Sequence, residues 1–247
     1  MSKILYIIKS LKQISSNYSV IFCDIWGCVH NGVSAFDHAI CALSEFKKGG
    51  GIVVLLTNAP RPASAIHRQL ERLGIDHNCY NLIVTAGDAA LQFVAESKIG
   101  DKIYHLGPEK DKSFFDTLFS FSKKSEYSLS SFAEADLIIC TGLFDDSTET
   151  PDDYKKFLEQ ACKKNLPMIC TNPDLHVDFG NKRVFCAGAV ASAYQKNGGK
   201  VYWFGKPYSS IYEFTDKSLI KKNLRVTKSK ILCVGDGLRT DIKGAND

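Results

Sequence analysis

The chain has 247 residues, of which 45% are hydrophobic and 23% charged, and its 31 basic and 27 acidic residues give a net charge of +4. This composition is typical of a soluble globular protein with one large or two modest domains. The sequence holds neither a membrane-length apolar run nor a basic block, which argues against membrane insertion and nucleic-acid binding.

Nine cysteines are present, and no pair has CxxC spacing. Most lie inside apolar runs, so we expect buried thiols in a reducing compartment and a cytoplasmic location. A zinc site built from Cys23, Cys28 or Cys41 and a nearby histidine is the weaker alternative, because the usual ligand spacing is missing.

Apolar runs and amphipathic segments alternate along the first third of the chain. The predicted elements are a helix over 2–15, a strand over 20–23, a helix over 36–48, a strand over 52–56, a helix over 61–73, a strand over 81–84 and a helix over 86–96. Thr85 is the expected N-cap of the last of these helices. The alternation is typical of a parallel sheet covered by helices.

The same alternation continues to the end of the chain. The predicted strands lie over 102–106, 135–141, 167–170, 200–204 and 230–234, and the predicted helices over 110–121, 151–164, 186–196 and 209–222. The polar segment 122–131 is a loop or a weak strand. The material between 86 and 175 is enough for a separate small α/β unit.

Four strands that we assign to the core sheet end in polar side chains. These side chains are Asp24, Thr57 with Asn58, Lys206, and Asp236 with Asp241. Carboxyl ends of parallel strands meet at one edge of a sheet, where ligands bind. Carboxylates suit Mg²⁺, which usually joins them to a substrate phosphate, and a lysine would offset the phosphate charge. Each residue alone is equally consistent with a turn or capping role.

The order of these segments resembles the four signature motifs of the haloacid dehalogenase (HAD) superfamily. The motifs are Asp24-x-x-Gly27, an apolar strand before Thr57-Asn58, Gly205-Lys206-Pro207, and Gly235-Asp236-Gly237-x-x-x-Asp241. Between the second and third motifs, Thr171-Asn172-Pro173-Asp174 and Ala187-Gly188-Ala189 are similar to subfamily IIA, which has a large α/β cap. That subfamily includes nitrophenylphosphatase-like and nucleotide-phosphatase-like enzymes.

The resemblance implies an α/β fold with two parts. A Rossmann-like parallel-sheet core domain would cover residues 1–85 and 176–247, and an inserted smaller α/β cap domain would cover 86–175. The cap would close over the site and supply specificity. Asp145, Asp146 and His176 are candidates for substrate contact only because they are polar and near strand ends.

The resemblance also implies a Mg²⁺-dependent phosphatase that acts on a small phosphorylated metabolite. Asp24 would be the nucleophile that becomes an aspartyl phosphate. Asp24, Asp236 and the backbone carbonyl of Trp26 would hold Mg²⁺, and Asp241 would support the metal site.

The remaining motif residues would bind the substrate phosphate. Thr57 and Asn58 would bind the phosphoryl oxygens. Lys206 would offset the charge of both the nucleophile and the phosphate, since two anions would otherwise repel each other.

One position departs from the family pattern. Two residues after the nucleophile, phosphatases of this superfamily carry an aspartate that protonates the leaving group, and here that position is Trp26. An indole donates one N–H and has no titratable proton at working pH. Three interpretations remain open: a weak phosphatase that favours leaving groups needing no proton, a phosphatase with another acid such as His30, or a binding protein without turnover.

Two other functions compete with a phosphatase. Gly235-x-Gly237-x-x-Thr240 resembles a dinucleotide-binding fingerprint that has lost its last glycine. Such a site needs a helix, a strand and a ribose-binding acid about 20 residues further on, and we expect none in the few residues that follow. A non-catalytic phosphate- or partner-binding protein on the same scaffold is the stronger rival.

Family members usually continue with a further strand and helix after the fourth motif, whereas this chain ends at Asp247. An exposed sheet edge would result, and it would favour self-association into a homo-oligomer.

Overall fold

The computed structural model describes residues 6–121, 127–179 and 182–247. The strands in these ranges are β1 (Val20–Cys23), β2 (Ile52–Thr57), β3 (Leu82–Thr85), β4 (Lys102–Leu106), β5 (Ser128–Leu129), β6 (Leu137–Cys140), β7 (Met168–Cys170), β8 (His176–Phe179), β9 (Lys182–Phe185), β10 (Val201–Trp203) and β11 (Ile231–Val234).

Helices alternate with these strands. The α-helices are α1 (Asp37–Lys48), α2 (Ala63–Arg72), α3 (Ala86–Ser97), α4 (Ser113–Phe121), α5 (Lys155–Lys163), α6 (Ala187–Lys196), α7 (Ser209–Lys221) and α8 (Lys243–Asn246). Short 3₁₀ helices precede α4 and α5, and a π-helical turn, Leu238–Ile242, precedes α8. The predicted α/β class is therefore confirmed.

The first sheet has four parallel strands in the order β11-β1-β2-β3. Val20 of β1 lies opposite Ile52 on one side and Ile231 on the other. All four residues of β1 are buried, because apolar clusters cover both faces of the sheet. An unbroken apolar strand is what a parallel sheet covered on both faces requires.

The second sheet has five parallel strands in the order β10-β7-β6-β4-β5. β10 is the strand that we expected in the core sheet, and this expectation was wrong, since Val201 pairs with Met168 of β7. A three-residue apolar strand carries no information about which sheet it joins. Helix α6 also packs against the second sheet, through Val190 and Tyr194.

The division of the chain into domains stays a prediction. Helix α6 and strand β10 belong with the second sheet. We therefore propose that the cap domain ends at about residue 204 and not at residue 175.

Two further predictions were wrong in detail. The helix over 2–15 is replaced by 3₁₀ helices at Leu11–Gln13 and Ser15–Asn17, where serine and asparagine side chains compete for backbone hydrogen bonds; residues 1–5 lie outside the described ranges. The sequence analysis did not predict the antiparallel hairpin β8–β9. Of the predicted loop 122–131, residues 122–126 are not described, and Ser128–Leu129 forms the edge strand β5.

None of the helices in the described ranges has the length and apolar character that crossing a membrane requires. The cytoplasmic location and the self-association of the chain stay predictions.

A buried hydrogen bond joins α6 to the second sheet and tests this arrangement. The Tyr194 hydroxyl donates to the Leu166 carbonyl at 2.6 Å, and the Tyr194 side chain is fully buried. We expect Tyr194→Phe to lower the free energy of unfolding by about 1–3 kcal/mol, because the buried carbonyl loses its partner. Urea denaturation measures this change.

Tyr202→Phe is the matched control, since Tyr202 lies in β10 and is half-buried. A Tyr194→Phe protein as stable as the Tyr202→Phe protein would contradict the role given to this bond.

Candidate active site

The ends of three neighbouring strands form one edge of the first sheet. Asp24 directly follows β1, Thr57 ends the neighbouring β2, and Asp236 lies two residues after β11 on the other side. The carboxyl ends of parallel strands share an edge, and the structure brings together the residues that we expected there.

Lys206 lies in the middle of this group although its strand, β10, belongs to the second sheet. Its Nζ donates to Asp24 Oδ1 at 2.7 Å, to Asp241 Oδ1 at 2.7 Å and to the Leu56 carbonyl at 2.9 Å. Lys206 is only 2% exposed. Burial acts to lower the pKa of Lys206, but the two carboxylates outweigh burial and raise this pKa above its ordinary value. The ammonium stays charged.

The Asp24 carboxylate is held through one oxygen. Oδ1 accepts from Lys206 and from the backbone N–H of Ile25 at 2.8 Å. Within the described residues Oδ2 accepts no hydrogen bond, so this oxygen is free to react. Burial raises the pKa of Asp24 to about 6 against the opposing effect of Lys206, and the negative charge of Asp241 adds to the rise.

Asp241 orients Lys206 and the loop after β11. Its Oδ1 accepts from Lys206, while its Oδ2 accepts from the backbone N–H of Gly237 at 3.1 Å and from the Thr240 hydroxyl at 3.3 Å. All of these contacts are to nitrogen or hydroxyl donors. The predicted support of a metal by Asp241 stays a prediction, and the geometry places this carboxylate against the lysine.

The Asn58 side chain connects three segments. Its Oδ1 accepts from the backbone N–H of Lys206 at 2.6 Å, and its Nδ2 donates to Asp174 Oδ1 at 2.9 Å and to the Lys206 carbonyl at 3.2 Å. Both amide protons are therefore engaged within the protein. The Thr57 hydroxyl accepts from the Ala59 backbone N–H at 3.2 Å, which leaves its own proton for another acceptor.

Asp24, Cys28 and Asp236 are the group that could hold a metal ion among the described residues. One ligand atom from each lies within 4.8 Å of the others. Oxygen atoms of two carboxylates fit Mg²⁺, whereas a thiol suits softer cations. No histidine belongs to this group, so the zinc alternative with Cys23, Cys28 or Cys41 and a histidine finds no support in the described residues.

Gly27 lets the Asp236 carboxylate approach the loop after β1. Its φ is +81°, and a Cβ at this position would lie 2.1 Å from Asp236 Oδ2. Any other residue would both strain the backbone and push the carboxylate away.

Trp26 is half-buried, and its indole N–H donates to the Asp178 carbonyl at 2.9 Å. His30 packs edge-on against the Trp26 ring at 5.3 Å between centroids. His30 is 2% exposed, its Nδ1 accepts from the Gly32 backbone N–H at 2.9 Å, and burial lowers its pKa. A neutral, packed imidazole is a poor proton donor at neutral pH.

The three cap candidates make local contacts. Asp145 accepts from the Ser147 backbone N–H and hydroxyl, which hold its pKa below the ordinary value. Asp146 pairs with Lys110 at 2.5 Å, and His176 lies in β8. Their contact with a substrate stays a prediction.

The sequence analysis did not assign two residues, Asp174 and Cys28, to this site. Asp174, whose pKa is raised by burial, contacts Asn58; its segment 171–174 was noticed, but no partner could be assigned to it. Cys28 was considered only as a zinc ligand beside histidine. Cys28 lies four residues after Asp24, in the turn that follows the buried strand β1. This position was the sequence feature that could have placed Cys28 at the site.

Comparisons with known proteins agree on the fold. A family model described as haloacid dehalogenase-like hydrolase matches residues 21–118. A haloacid dehalogenase-like hydrolase from Brucella suis 1330 is 38% identical, with 97% of this chain and 86% of that chain covered and a TM-score of 0.90. No curated protein matches the chain.

More distant solved structures share the fold. A 4-nitrophenylphosphatase from Thermotoga maritima is 21% identical over 94% of this chain and 84% of its own, with a TM-score of 0.72. A glycerol phosphate phosphatase from Mycobacterium tuberculosis, in complex with magnesium, is 19% identical over 94% of this chain and 66% of its own, with a TM-score of 0.68. Given the 38% identity to the Brucella protein over 97% of this chain, the chain belongs to the haloacid dehalogenase-like family of hydrolases.

Proposed function

We propose that this protein is a Mg²⁺-dependent phosphatase that hydrolyses a small phosphorylated metabolite through an aspartyl phosphate on Asp24. One observation carries the proposal: Asp24 is fixed through Oδ1 by Lys206 and Ile25, and its Oδ2 is left without a partner in the described residues. A carboxylate held in this way can attack phosphorus with its free oxygen. Several of the distant structural neighbours are phosphatases by name, which agrees with this chemistry.

The reaction has two steps. Oδ2 of Asp24 forms a bond to phosphorus while the bond from phosphorus to the ester oxygen breaks, and the leaving oxygen takes up a proton. Water then attacks phosphorus, loses a proton and releases inorganic phosphate, which restores the Asp24 carboxylate. Lys206 stabilises Asp24 as an anion, and the Thr57 hydroxyl is placed to donate to a phosphoryl oxygen.

Asp24 and Asp236 would hold Mg²⁺, together with the backbone carbonyl of Trp26. The fit follows from the donor set, since two carboxylates offer oxygens within 4.8 Å of each other. When bound, Mg²⁺ would offset the negative charge of the carboxylates and the phosphate.

For Asn58 we propose a role other than the phosphate contact that the family resemblance implied. Its side-chain donors are already used on Asp174 and Lys206, so we propose that it positions the backbone of Lys206. Direct phosphate contact is then left to Thr57, while Lys206, whose three protons are used on protein acceptors, would offset the phosphate charge from its place between the carboxylates.

Trp26 favours a second candidate function. It occupies the position of the usual acid without a titratable proton, and its neighbour His30 is buried with a lowered pKa. A protein that binds phosphate without turnover is consistent with both observations. Turnover measurements separate the two functions.

One prediction concerns the proposed nucleophile. We expect Asp24→Asn to lower the release of phosphate from an aryl phosphate in the presence of Mg²⁺ by about 10³-fold or more, because the amide is a much weaker nucleophile. A chelator should abolish the parent activity. Asp216→Asn, at an exposed position of α7, should leave turnover unchanged. Equal turnover by the parent and by Asp24→Asn would exclude an aspartyl phosphate.

A second prediction follows from Trp26. The parent protein should prefer an aryl over an alkyl phosphate by about 10²- to 10⁴-fold in kcat/KM, the range that general-acid catalysis contributes. The measurement compares two monoesters that differ in the pKa of the leaving alcohol. Equal rates would reveal another acid. Binding of inorganic phosphate without turnover of either ester would instead favour the non-catalytic function.

The thiol of Cys28 leads to a prediction about metal selectivity. Cys28→Ser should weaken Cd²⁺ binding by at least about tenfold, because soft cations prefer sulfur ligands. Loss of a residue that only hydrogen-bonds to a metal ligand already lowers metal affinity by about tenfold or more. Mg²⁺ binding should hardly change. Cys41→Ser, at an exposed cysteine of α1, is the matched control.

Sulfur-to-metal charge-transfer absorption in the ultraviolet reports Cd²⁺ binding directly. An absorption band that persists in Cys28→Ser would show that this thiol is not a ligand.

A further inference from the structure

A hydrogen bond links the loop of the nucleophile to a distant hairpin. The indole N–H of Trp26 donates to the backbone carbonyl of Asp178 at 2.9 Å, across 152 positions of sequence. Trp26 lies two residues after Asp24, and Asp178 lies in β8, one of the two strands of the antiparallel hairpin β8–β9. The bond therefore connects the hairpin to the loop that carries the reacting carboxylate.

The same segment of chain has a second connection to the site. Asp174, four residues before Asp178, accepts from the Asn58 side chain at 2.9 Å. Pro173 packs closely against Gly205, where φ is +113° and a Cβ would lie 2.6 Å from the proline ring. The segment that joins β7 to α6 thus touches the loop after β2 through Asp174 and the loop after β1 through Asp178.

Within the part of the chain that the structure describes, the hairpin makes no extensive contact with another strand or helix. Its two strands pair with each other and with no other strand of the described chain, and a lone two-stranded hairpin is marginally stable in water. The ion pair between Asp178 and Arg183 is largely exposed on both sides, and exposed pairs contribute little. The orientation of the hairpin therefore depends on its contacts with the loops of the site.

We propose that Trp26 is a positioning residue that holds hairpin β8–β9 beside the Asp24 carboxylate, where the hairpin forms a wall of the substrate site. This proposal rests on the proposed phosphatase function. An ionised aspartate at position 26 accepts hydrogen bonds but cannot donate one, so it could not bind the Asp178 carbonyl. Tryptophan at this position therefore holds the hairpin, but it cannot protonate a leaving group as an aspartic acid would.

Trp26→Phe tests the proposal, because it keeps an aromatic ring beside His30 and removes the indole N–H together with the five-membered ring that carries it. We expect amide hydrogen exchange over 176–179 and 182–185 to accelerate about fivefold, the effect of losing one hydrogen bond. Exchange in β1 and β2 should stay unchanged. With an aryl phosphate, KM should rise several-fold, while the pH profile of kcat keeps its shape.

Trp203→Phe is the matched control, since it removes the other indole of the chain, at the end of β10, and should leave exchange in the hairpin as it is. Unchanged hairpin exchange and KM in a folded Trp26→Phe protein, judged by circular dichroism, would overturn the proposal. Exchange is measured without substrate. Faster hairpin exchange in a protein with no phosphatase activity would therefore refute the proposed function alone, and unchanged exchange in an active enzyme would refute the positioning role alone.

Discussion

The ammonium of Lys206, between the carboxylates of Asp24 and Asp241, fixes the geometry of the site. A charge that is 2% exposed is tolerated only when it is paired and hydrogen-bonded, and Lys206 uses all three of its protons, two on carboxylates and one on the Leu56 carbonyl. These partners come from β1, β2 and the loop after β11. Moving any of these strands by one residue would leave a buried charge unpaired, so this one group helps to define the strand register.

Charge balance explains why such a site suits a cation and a phosphate. Two buried carboxylates share a single ammonium, and the pKa of Asp24 is raised to about 6 because burial and the second carboxylate oppose its ionisation. Asp236 adds a third carboxylate on the open side, within 4.8 Å of Asp24. A divalent cation held by Asp24 and Asp236 would relieve this excess of negative charge, which the proposed phosphatase function requires before a phosphate dianion can approach.

The sequence predicted the parts of the site that depend on strand ends. Apolar runs that stop at Asp24 and Thr57 identified the edge of a parallel sheet, and the lysine after Gly205 was expected beside them. The sequence could not show that β10 joins the second sheet, since pairing is decided by packing partners far along the chain. Nor could it predict that Asp174 contacts Asn58, 116 positions away, because a turn carboxylate looks the same with or without a distant donor.

Position 26 illustrates how one side chain can serve only one of two purposes. An acid there must carry a proton that it can give up, and in its ionised form it would face the Asp178 carbonyl with two acceptor atoms and no donor. An indole offers a permanent donor at 2.9 Å and no exchangeable charge. A proton held on the Asp178 carbonyl is not available to a leaving group, so a single donor at this position serves only one of the two partners. A leaving group that needs a proton must obtain it from another residue or from water, and the burial and lowered pKa of His30 make that nearest imidazole a poor source.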